Sequence, residues 1–188
     1  DRSESSKEES IKASADFKKT VDKIIKKIEV IAIGISTGGP NALARLIPEL
    51  PGDLNVPVLI VQHMPQLFTA ALAEALSKKS VLKVIEASER QKIENGIVYI
   101  APGGKQMKVI EEGNIGRIIK ITDDHAVNYC KPSADYLFKS VADVYCGRSL
   151  GIIMTGMGSD GTEGLKEMKK KGSVIIAQDK NSSVVYGM

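Results

Sequence analysis

Residues 29–40 read Glu-Val-Ile-Ala-Ile-Gly-Ile-Ser-Thr-Gly-Gly-Pro. The run from Glu29 to Ile35 is mostly apolar and rich in β-branched residues, so it predicts a buried strand. Proline is favoured in the first turn of a helix, so we expect a helix to begin at Pro40. The stretch therefore predicts a strand, a glycine-rich turn that carries Ser36, and a helix, which together form one repeating unit of a parallel α/β sheet.

The same alternation of apolar runs and helix-like segments continues along the chain. It predicts an α/β fold with a doubly wound, mostly parallel sheet and helices on both faces. Residues 105–122 instead predict one antiparallel β-hairpin near the active-site edge, because Glu112-Gly-Asn114 is typical of a hairpin turn. The predicted strands are 29–35, 56–62, 81–86, 97–101, 150–155 and 173–177, and the predicted helices are 40–50, 66–79, one that opens at Pro132, and 161–171.

The composition argues against several classes of protein. The chain has 188 residues, a formal net charge of +3 and only 4% aromatic residues, with basic and acidic residues interleaved, so nucleic acid is not an expected partner. No apolar run approaches the ~20 residues that span a bilayer, and the first residues lack the hydrophobic core of a secretory signal. We therefore expect a cytoplasmic protein with no direct membrane insertion.

Cys130 and Cys146 are not spaced as a metal-binding or redox pair. With only two histidines in the chain, the sequence shows no Cys/His cluster of the zinc type. We therefore expect two reduced, structural thiols, no metal site and no cofactor.

Residues 1–27 differ in composition from the rest of the chain. They are rich in Ser, Lys and Glu, and their large apolar residues stand at the spacing of one helical stripe, namely Phe17, Val21, Ile24 and Ile25. This pattern predicts a linker that ends in a short helix. Since linkers join modules, it indicates a further N-terminal module, and residues 28–188 are the predicted main domain.

Gly34-Ile-Ser-Thr-Gly38 fits the G-x-S-x-G pattern of a nucleophile elbow and stands between a predicted strand and a predicted helix. Serine and glycine are also common in ordinary strand-to-helix loops, so the pattern alone is weak. Dinucleotide binding is disfavoured because Gly34, Gly38 and Gly39 are spaced G-x-x-x-G-G and no P-loop lysine follows. Hydrolysis with Ser36 as nucleophile is the favoured interpretation.

His63 and Asp160 each follow an apolar run, as Ser36 does. Parallel strands bring their carboxyl ends to one edge of the sheet, so the three residues are expected to meet in one cleft. An imidazole changes charge near neutral pH, which suits a general base, and Asp160 could orient it. His63 could instead cap a turn, and Asp160 could cap the following helix. The chain order Ser, His, Asp differs from that of the α/β-hydrolases.

Six motifs, taken together and in this order, resemble the catalytic domain of the chemotaxis protein-glutamate methylesterases, the CheB family. The resemblance covers about residue 29 to the last residue. The motifs are Ala32–Pro40, Gln62–Pro65, Ala101–Gly104, Pro132-Ser133, Thr155–Gly161 and Val185–Met188.

The resemblance implies hydrolysis of glutamate γ-methyl esters on methyl-accepting chemoreceptors, with release of methanol, and also deamidation of receptor glutamines. Ser36 would match the nucleophile, His63 the general base and Asp160 the residue that orients the base. The N–H groups of Thr37 and Met157 are expected to hold the oxyanion.

The resemblance also implies an N-terminal receiver domain, phosphorylated by the chemotaxis histidine kinase. We expect residues 1–27 to be its linker, and a C-terminal tail to be missing after Met188. Two alternatives stay open: a non-catalytic regulatory module that binds a peptide or nucleotide at its Gly-rich edge, and a general esterase of small substrates. Cys130-Lys131 departs from the His-Arg pair that many family members have before Pro132-Ser133.

Overall fold

The structure is a computed structural model and describes residues 28–188. The linker predicted for residues 1–27 lies outside the described residues. The helices are α1 (Gly39–Leu46), α2 (Gln66–Ser77), α3 (Ala134–Tyr145) and α4 (Thr162–Lys170), with a 3-10 turn at Ile47–Glu49. The strands are β1 (Val30–Ile35), β2 (Val58–Gln62), β3 (Lys83–Glu86), β4 (Gln91–Lys92), β5 (Ile97–Ile100), β6 (Gln106–Glu112), β7 (Gly116–Thr122), β8 (Ser149–Ile153) and β9 (Val174–Ala177).

Six strands form a parallel sheet in the order β3-β5-β2-β1-β8-β9. Strand β1 lies in the middle, where Ile35 pairs with Gln62 of β2 and Gly34 pairs with Ile153 of β8. The predicted α/β sheet is confirmed. This order places the carboxyl ends of β2, β1 and β8 side by side at one edge of the sheet.

Successive residues of a strand point to opposite faces of the sheet, so the central strands contribute to two hydrophobic layers. In β1, Val30 and Ala32 belong to one layer, and Ile33 and Ile35 belong to the other. Helices α3 and α4 complete the first layer through Leu137, Phe138, Val141, Leu165 and Met168, and α1 and α2 complete the second through Leu43, Ala73 and Leu76. Helices therefore cover both faces, as predicted.

The predicted hairpin is confirmed as β6 and β7, which join β4 in a small antiparallel sheet. Strand β4 has only two residues, too few to give an alternating pattern in the sequence. The side chain of Gln106, at the start of β6, donates to the carbonyls of His125 and Cys130 and accepts from the N–H of Ser133. The base of the hairpin therefore fixes the loop that leads into α3.

Most elements differ from their predicted bounds by one or two residues, and two of the differences have a clear local reason. Helix α1 ends at Leu46 rather than at residue 50, because Pro48 has no N–H to continue the helical hydrogen bonds. Strand β8 ends at Ile153 because the N–H of Thr155 donates to the Gln178 side chain instead of a neighbouring strand. Within residues 28–188, no helix combines the length and apolar character that crossing a bilayer requires.

Candidate active site

His63 and Asp160 meet at the carboxyl edge of the sheet although 97 residues separate them. His63 directly follows β2, and Asp160 lies in the glycine-rich loop between β8 and α4. Nε2 of His63 lies 2.7 Å from Oδ2 of Asp160, with side-chain exposures of 15% and 3%. The pair is therefore directly hydrogen-bonded, and its imidazole stays reachable from solvent while its carboxylate does not.

The N-terminus of α3 holds the Asp160 carboxylate in place. Oδ1 accepts from Ser133 Oγ at 2.7 Å and from the Asp135 N–H at 3.1 Å, and Oδ2 accepts from the Ala134 N–H at 2.6 Å. Burial alone would raise the pKa of Asp160, but the hydrogen bonds from His63, Ser133 and the two amides lower it below its usual value. Asp160 is therefore a fixed carboxylate, and it caps α3 rather than the helix that follows it, whose N-cap is Gly161.

Ser36 lies beside this pair on the neighbouring strand end. Its N–H donates to the Thr155 carbonyl at 3.0 Å, and its carbonyl accepts from Gly39 at 2.8 Å. The His63 N–H donates to the Ile35 carbonyl at 3.0 Å, so the backbones that carry Ser36 and His63 are adjacent. Among the described residues, no hydrogen bond joins the Ser36 hydroxyl to His63. The structure therefore brings the backbones of Ser36 and His63 together, and their side chains are not hydrogen-bonded to each other.

The Gln62 side chain ties the two strand ends together. Its Nε2 donates to the Ser36 carbonyl at 3.1 Å and to the His63 carbonyl at 3.0 Å, and the residue is only 1% exposed. We infer that this amide sets the separation of the turns that carry Ser36 and His63. This role of Gln62 was not predicted from the sequence, where the available signal was a polar side chain at the end of an otherwise apolar strand.

The hydroxyl of Thr155 links the Ser36 turn to the last residues of the chain. It donates to the Thr37 carbonyl at 2.9 Å and accepts from the N–H groups of Val184 and Val185. The next residue, Gly156, exchanges backbone hydrogen bonds with the same terminal segment. The Thr155–Gly161 motif therefore positions the Ser36 turn as well as Asp160.

Thr37 and Met157 are both exposed at this edge. Thr37 follows Ser36 directly, and Met157 follows Gly156, where an added Cβ would lie 2.7 Å from the Cβ of Ser36. Within residues 28–188, the N–H groups of Thr37 and Met157 donate to no protein acceptor. In the described residues both N–H groups therefore remain available to a ligand.

Cys130 faces the other nitrogen of the imidazole. Its Sγ lies 3.8 Å from Nδ1 of His63, although 67 residues separate the two. Burial and the negative charges of Asp160 and Asp135 raise the pKa of the Cys130 thiol. Cys130 and Cys146 are free thiols, and Cys146 is exposed beyond the end of α3. Sequence spacing gave no sign of this Cys/His contact, because only the fold brings the two loops together.

These observations define the class of the protein: an α/β domain whose strand ends gather a serine, a histidine and an aspartate, the side-chain set that serine hydrolases use on several unrelated folds. The model of the family described as CheB methylesterase matches residues 31–188. The chain belongs to this family.

Curated relatives and a solved structure agree with this assignment. The chain is 56% identical over 173 residues to a protein-glutamate methylesterase/protein-glutamine glutaminase of Desulfotalea psychrophila, covering 90% of this chain and 48% of that protein. It is 50% identical over 161 residues to the protein of the same name from Bacillus subtilis, covering 85% of this chain and 45% of that protein. The chain thus spans about half the length of these relatives.

The crystal structure of the Thermotoga maritima CheB methylesterase catalytic domain superposes on this chain with a TM-score of 0.83. The two sequences are 37% identical, and the match covers 86% of this chain and 85% of the other. The described residues therefore have the fold of that catalytic domain.

Proposed function

We propose that this chain hydrolyses the γ-methyl esters of glutamates on methyl-accepting chemoreceptors, with Ser36 as nucleophile, His63 as general base and Asp160 as the residue that orients the base. The observation that carries the proposal is the 2.7 Å bond between His63 and Asp160, formed beside the turn that presents Ser36. The names of the relatives supply the substrate class.

The hydrogen bond to Asp160 decides which nitrogen of His63 acts as the base. A carboxylate only accepts, so Nε2 carries the proton and Nδ1 carries the lone pair. In the proposed reaction the Ser36 Oγ attacks the ester carbonyl while its proton passes to Nδ1. Such bonds are often long without substrate and tighten in the substrate complex, so this step is compatible with the lack of a hydrogen bond between the Ser36 hydroxyl and His63 in the described residues.

The oxyanion formed by this attack needs donors that are already in place. The free N–H groups of Thr37 and Met157 flank Ser36 and are the proposed donors. As the tetrahedral intermediate collapses, Nδ1 of His63 returns its proton to the departing methoxide, and methanol leaves. A water then attacks the acyl-enzyme by the same route, which releases a glutamate side chain and regenerates the Ser36 hydroxyl.

The surface around the site suits a protein substrate. Tyr129 and Met157 are exposed next to the His63 and Asp160 loops, Leu67 and Phe68 are exposed at the start of α2, and Tyr186 is exposed in the terminal segment. Exposed apolar groups of this kind favour docking of a protein surface. We propose a chemoreceptor in the cytoplasm as the docked protein, and a receiver domain phosphorylated by the chemotaxis histidine kinase as the regulator.

Deamidation of receptor glutamines is the second proposed activity, because the relatives are named for both reactions. The chemistry at Ser36 is the same acyl transfer. The proton from His63 goes to an amide nitrogen, and ammonia leaves in place of methanol.

The test is release of methanol from methylated receptor membranes, and of ammonia from membranes whose receptors carry glutamine at the same positions. We expect methanol release, and we expect a serine-directed phosphonate to label Ser36 and block it. If the folded chain released nothing and was not labelled, the site would be a binding module instead. Equal turnover of any small ester and of receptors would indicate a general esterase.

Gly156→Ala is expected to lower kcat about 10²-fold, the cost of misplacing a reacting group by roughly 1 Å. The added Cβ would overlap the Met188 Sδ and lie 2.7 Å from the Ser36 Cβ, well inside the ~3.5–4.0 Å at which carbon atoms pack. The Met188 side chain can rotate away, but relief of the second contact changes the position of Ser36 relative to Gly156. Methanol release and the melting temperature check this together. Gly52→Ala is the matched control, because its added Cβ would meet only the Val81 side chain at 3.3 Å. A Gly156→Ala variant as fast as the control would show that the position of Ser36 is unimportant.

A further inference from the structure

The thiol of Cys130 and Nδ1 of His63 are separated by 3.8 Å. In a tetrahedral zinc site the Zn–N and Zn–S bonds of about 2.05 and 2.3 Å put the nitrogen and the sulfur about 3.6 Å apart. The two atoms already stand at nearly the separation that one zinc ion requires. The nearest donor atoms of His63, Cys130 and Asp160 all lie within 4.8 Å of one another.

We propose that His63 Nδ1 and Cys130 Sγ together bind a thiophilic divalent cation of the zinc class, and that this cation inhibits the chain. The binding half of the proposal stands on geometry alone. The inhibition half rests on the proposed function, because it requires Nδ1 of His63 to be the base that takes the Ser36 proton.

Asp160 prepares the imidazole for a metal. Histidines that bind zinc usually donate their second ring N–H to a carboxylate, which fixes the tautomer and makes the free nitrogen a better ligand. Asp160 accepts from Nε2 at 2.7 Å, so the lone pair of His63 is on Nδ1, the nitrogen nearer Cys130. The proposed ligands of the cation are therefore His63 and Cys130. Asp160 does not bind the cation itself but orients His63 and keeps its own hydrogen bonds.

The backbone that carries Cys130 is held in this position, and the thiol donates to the Asn128 carbonyl at 3.3 Å. Val127 and Cys130 exchange both of their backbone hydrogen bonds across a two-residue turn of Asn128 and Tyr129. The Asn128 amide donates to the Asp135 carboxylate at 2.7 Å, which fastens the turn to α3. The turn that carries the thiol therefore does not need to be ordered when a cation arrives, which lowers the entropic cost of binding.

The surroundings also accommodate a cation with its water ligands. A cleft of about 320 Å³ opens beside the pair and is lined by Met64, Tyr129, Lys131 and Pro132 among others. The Lys131 ammonium donates to the carbonyl and carboxylate of Asp123, which offsets its charge. That volume exceeds the ~30 Å³ share of each of the two waters that would complete a tetrahedral site. The carboxylates of Asp160 and Asp135 add negative potential at the thiol, which favours a cation there.

Binding exchanges a proton for the cation. The S–H bond of Cys130 breaks, its proton goes to solvent, and the sulfur and Nδ1 each donate a lone pair to the ion, with no change of oxidation state. With its lone pair occupied, Nδ1 has no orbital left for the Ser36 proton. The reaction is then blocked until the cation is removed.

The binding test uses Co²⁺ and Zn²⁺ on the Ser36→Ala variant of the full chain, so that no turnover is needed. We expect Co²⁺ to give a thiolate-to-cobalt charge-transfer band that Zn²⁺ displaces. Cys130→Ser and His63→Gln, each added to Ser36→Ala, should lose the band, while Cys146→Ser, the matched change at the other free thiol, should keep it. A band lost in the Cys146→Ser chain but kept in the Cys130→Ser chain would overturn the proposal, as would the lack of any band.

The activity test measures zinc inhibition of the chain, with each variant normalised to its own metal-free rate. Cys130→Ser removes a ligand, so it should raise the zinc concentration that gives half inhibition at least about tenfold. The basis is the 10–100-fold loss of metal affinity seen when a residue that only hydrogen-bonds to a ligand is removed. Cys146→Ser should match the unchanged sequence. Equal inhibition of Cys130→Ser and the unchanged sequence would refute the inhibitory role. A chain that releases no methanol would refute the proposed function, and the cobalt titration would still decide whether the site exists.

Discussion

If Ser36 is the nucleophile, Ser36→Ala is expected to lower the rate of methanol release at least about 10⁴-fold. Serine hydrolases lose that much activity or more when their nucleophilic serine is removed. Alanine has no oxygen to attack the ester carbonyl, so no acyl-enzyme forms. The loss should appear in kcat, because the residues that would dock the receptor are unchanged. Methanol release from methylated receptor membranes measures it directly.

This variant should also fold normally. Among the described residues, the Ser36 hydroxyl makes no hydrogen bond to another side chain, and the backbone bonds of the turn do not depend on it. The melting temperature is therefore expected to stay close to that of the unchanged chain. Ser159→Ala is the matched control, because Ser159 is an exposed serine in the neighbouring glycine-rich loop. If Ser36→Ala kept its fold and its activity, the reaction would not use this serine.

The sequence predicted the layers of the fold because buried strands and amphipathic helices leave local patterns. Residues 29–35 read as a strand, and β1 covers all but the first of them. The order β3-β5-β2-β1-β8-β9 could not be read in the same way, because the pairing of distant strands depends on contacts that no local window contains. For the same reason β4, with two residues, could not be predicted.

The candidate site divides along similar lines. Ser36, His63 and Asp160 could be proposed from the sequence because each follows an apolar run at the edge where parallel strands end. The contacts that support these residues could not be predicted in this way. Gln62 donates to the carbonyls of Ser36 and His63, and these hydrogen bonds exist only after β1 and β2 pair. The same holds for the contact between Cys130 and His63. These are backbone and loop geometries, which residue spacing does not encode.

Asp160→Asn should lower kcat about 10⁴-fold, the loss that the same change causes in serine proteases. Oδ2 accepts from both His63 Nε2 and the Ala134 N–H, and Oδ1 accepts from Ser133 and the Asp135 N–H. The new amide NH₂ replaces either Oδ1 or Oδ2. In both positions it faces a backbone N–H, of Asp135 or of Ala134, that has lost its acceptor. If it takes the place of Oδ2, His63 must present its Nε2 lone pair, and Nδ1 becomes protonated and useless as a base.

The same substitution should change how stability depends on pH. The pKa of Asp160 is lowered by its hydrogen bonds in the folded state, so its carboxylate stabilises the fold above the unfolded pKa of about 4 and loses that effect as the pH falls through the lower folded pKa. Asp160→Asn removes the part of the free energy of unfolding that depends on this carboxylate and therefore on pH. It also leaves one backbone N–H of α3 unpaired, which lowers the free energy of unfolding by about 1–3 kcal/mol.

Urea unfolding from neutral to acidic pH measures both effects, and ¹⁵N NMR of the imidazole reports which nitrogen of His63 carries the proton. Asp53→Asn is the matched control, because Asp53 is exposed and lies in a loop away from the site. An Asp160→Asn variant with unchanged kcat and an unchanged His63 tautomer would show that the 2.7 Å bond only holds the fold together. A large loss of kcat with the tautomer reversed requires that Asp160 act through His63, because the 2.7 Å bond is the direct contact between that carboxylate and the proposed base.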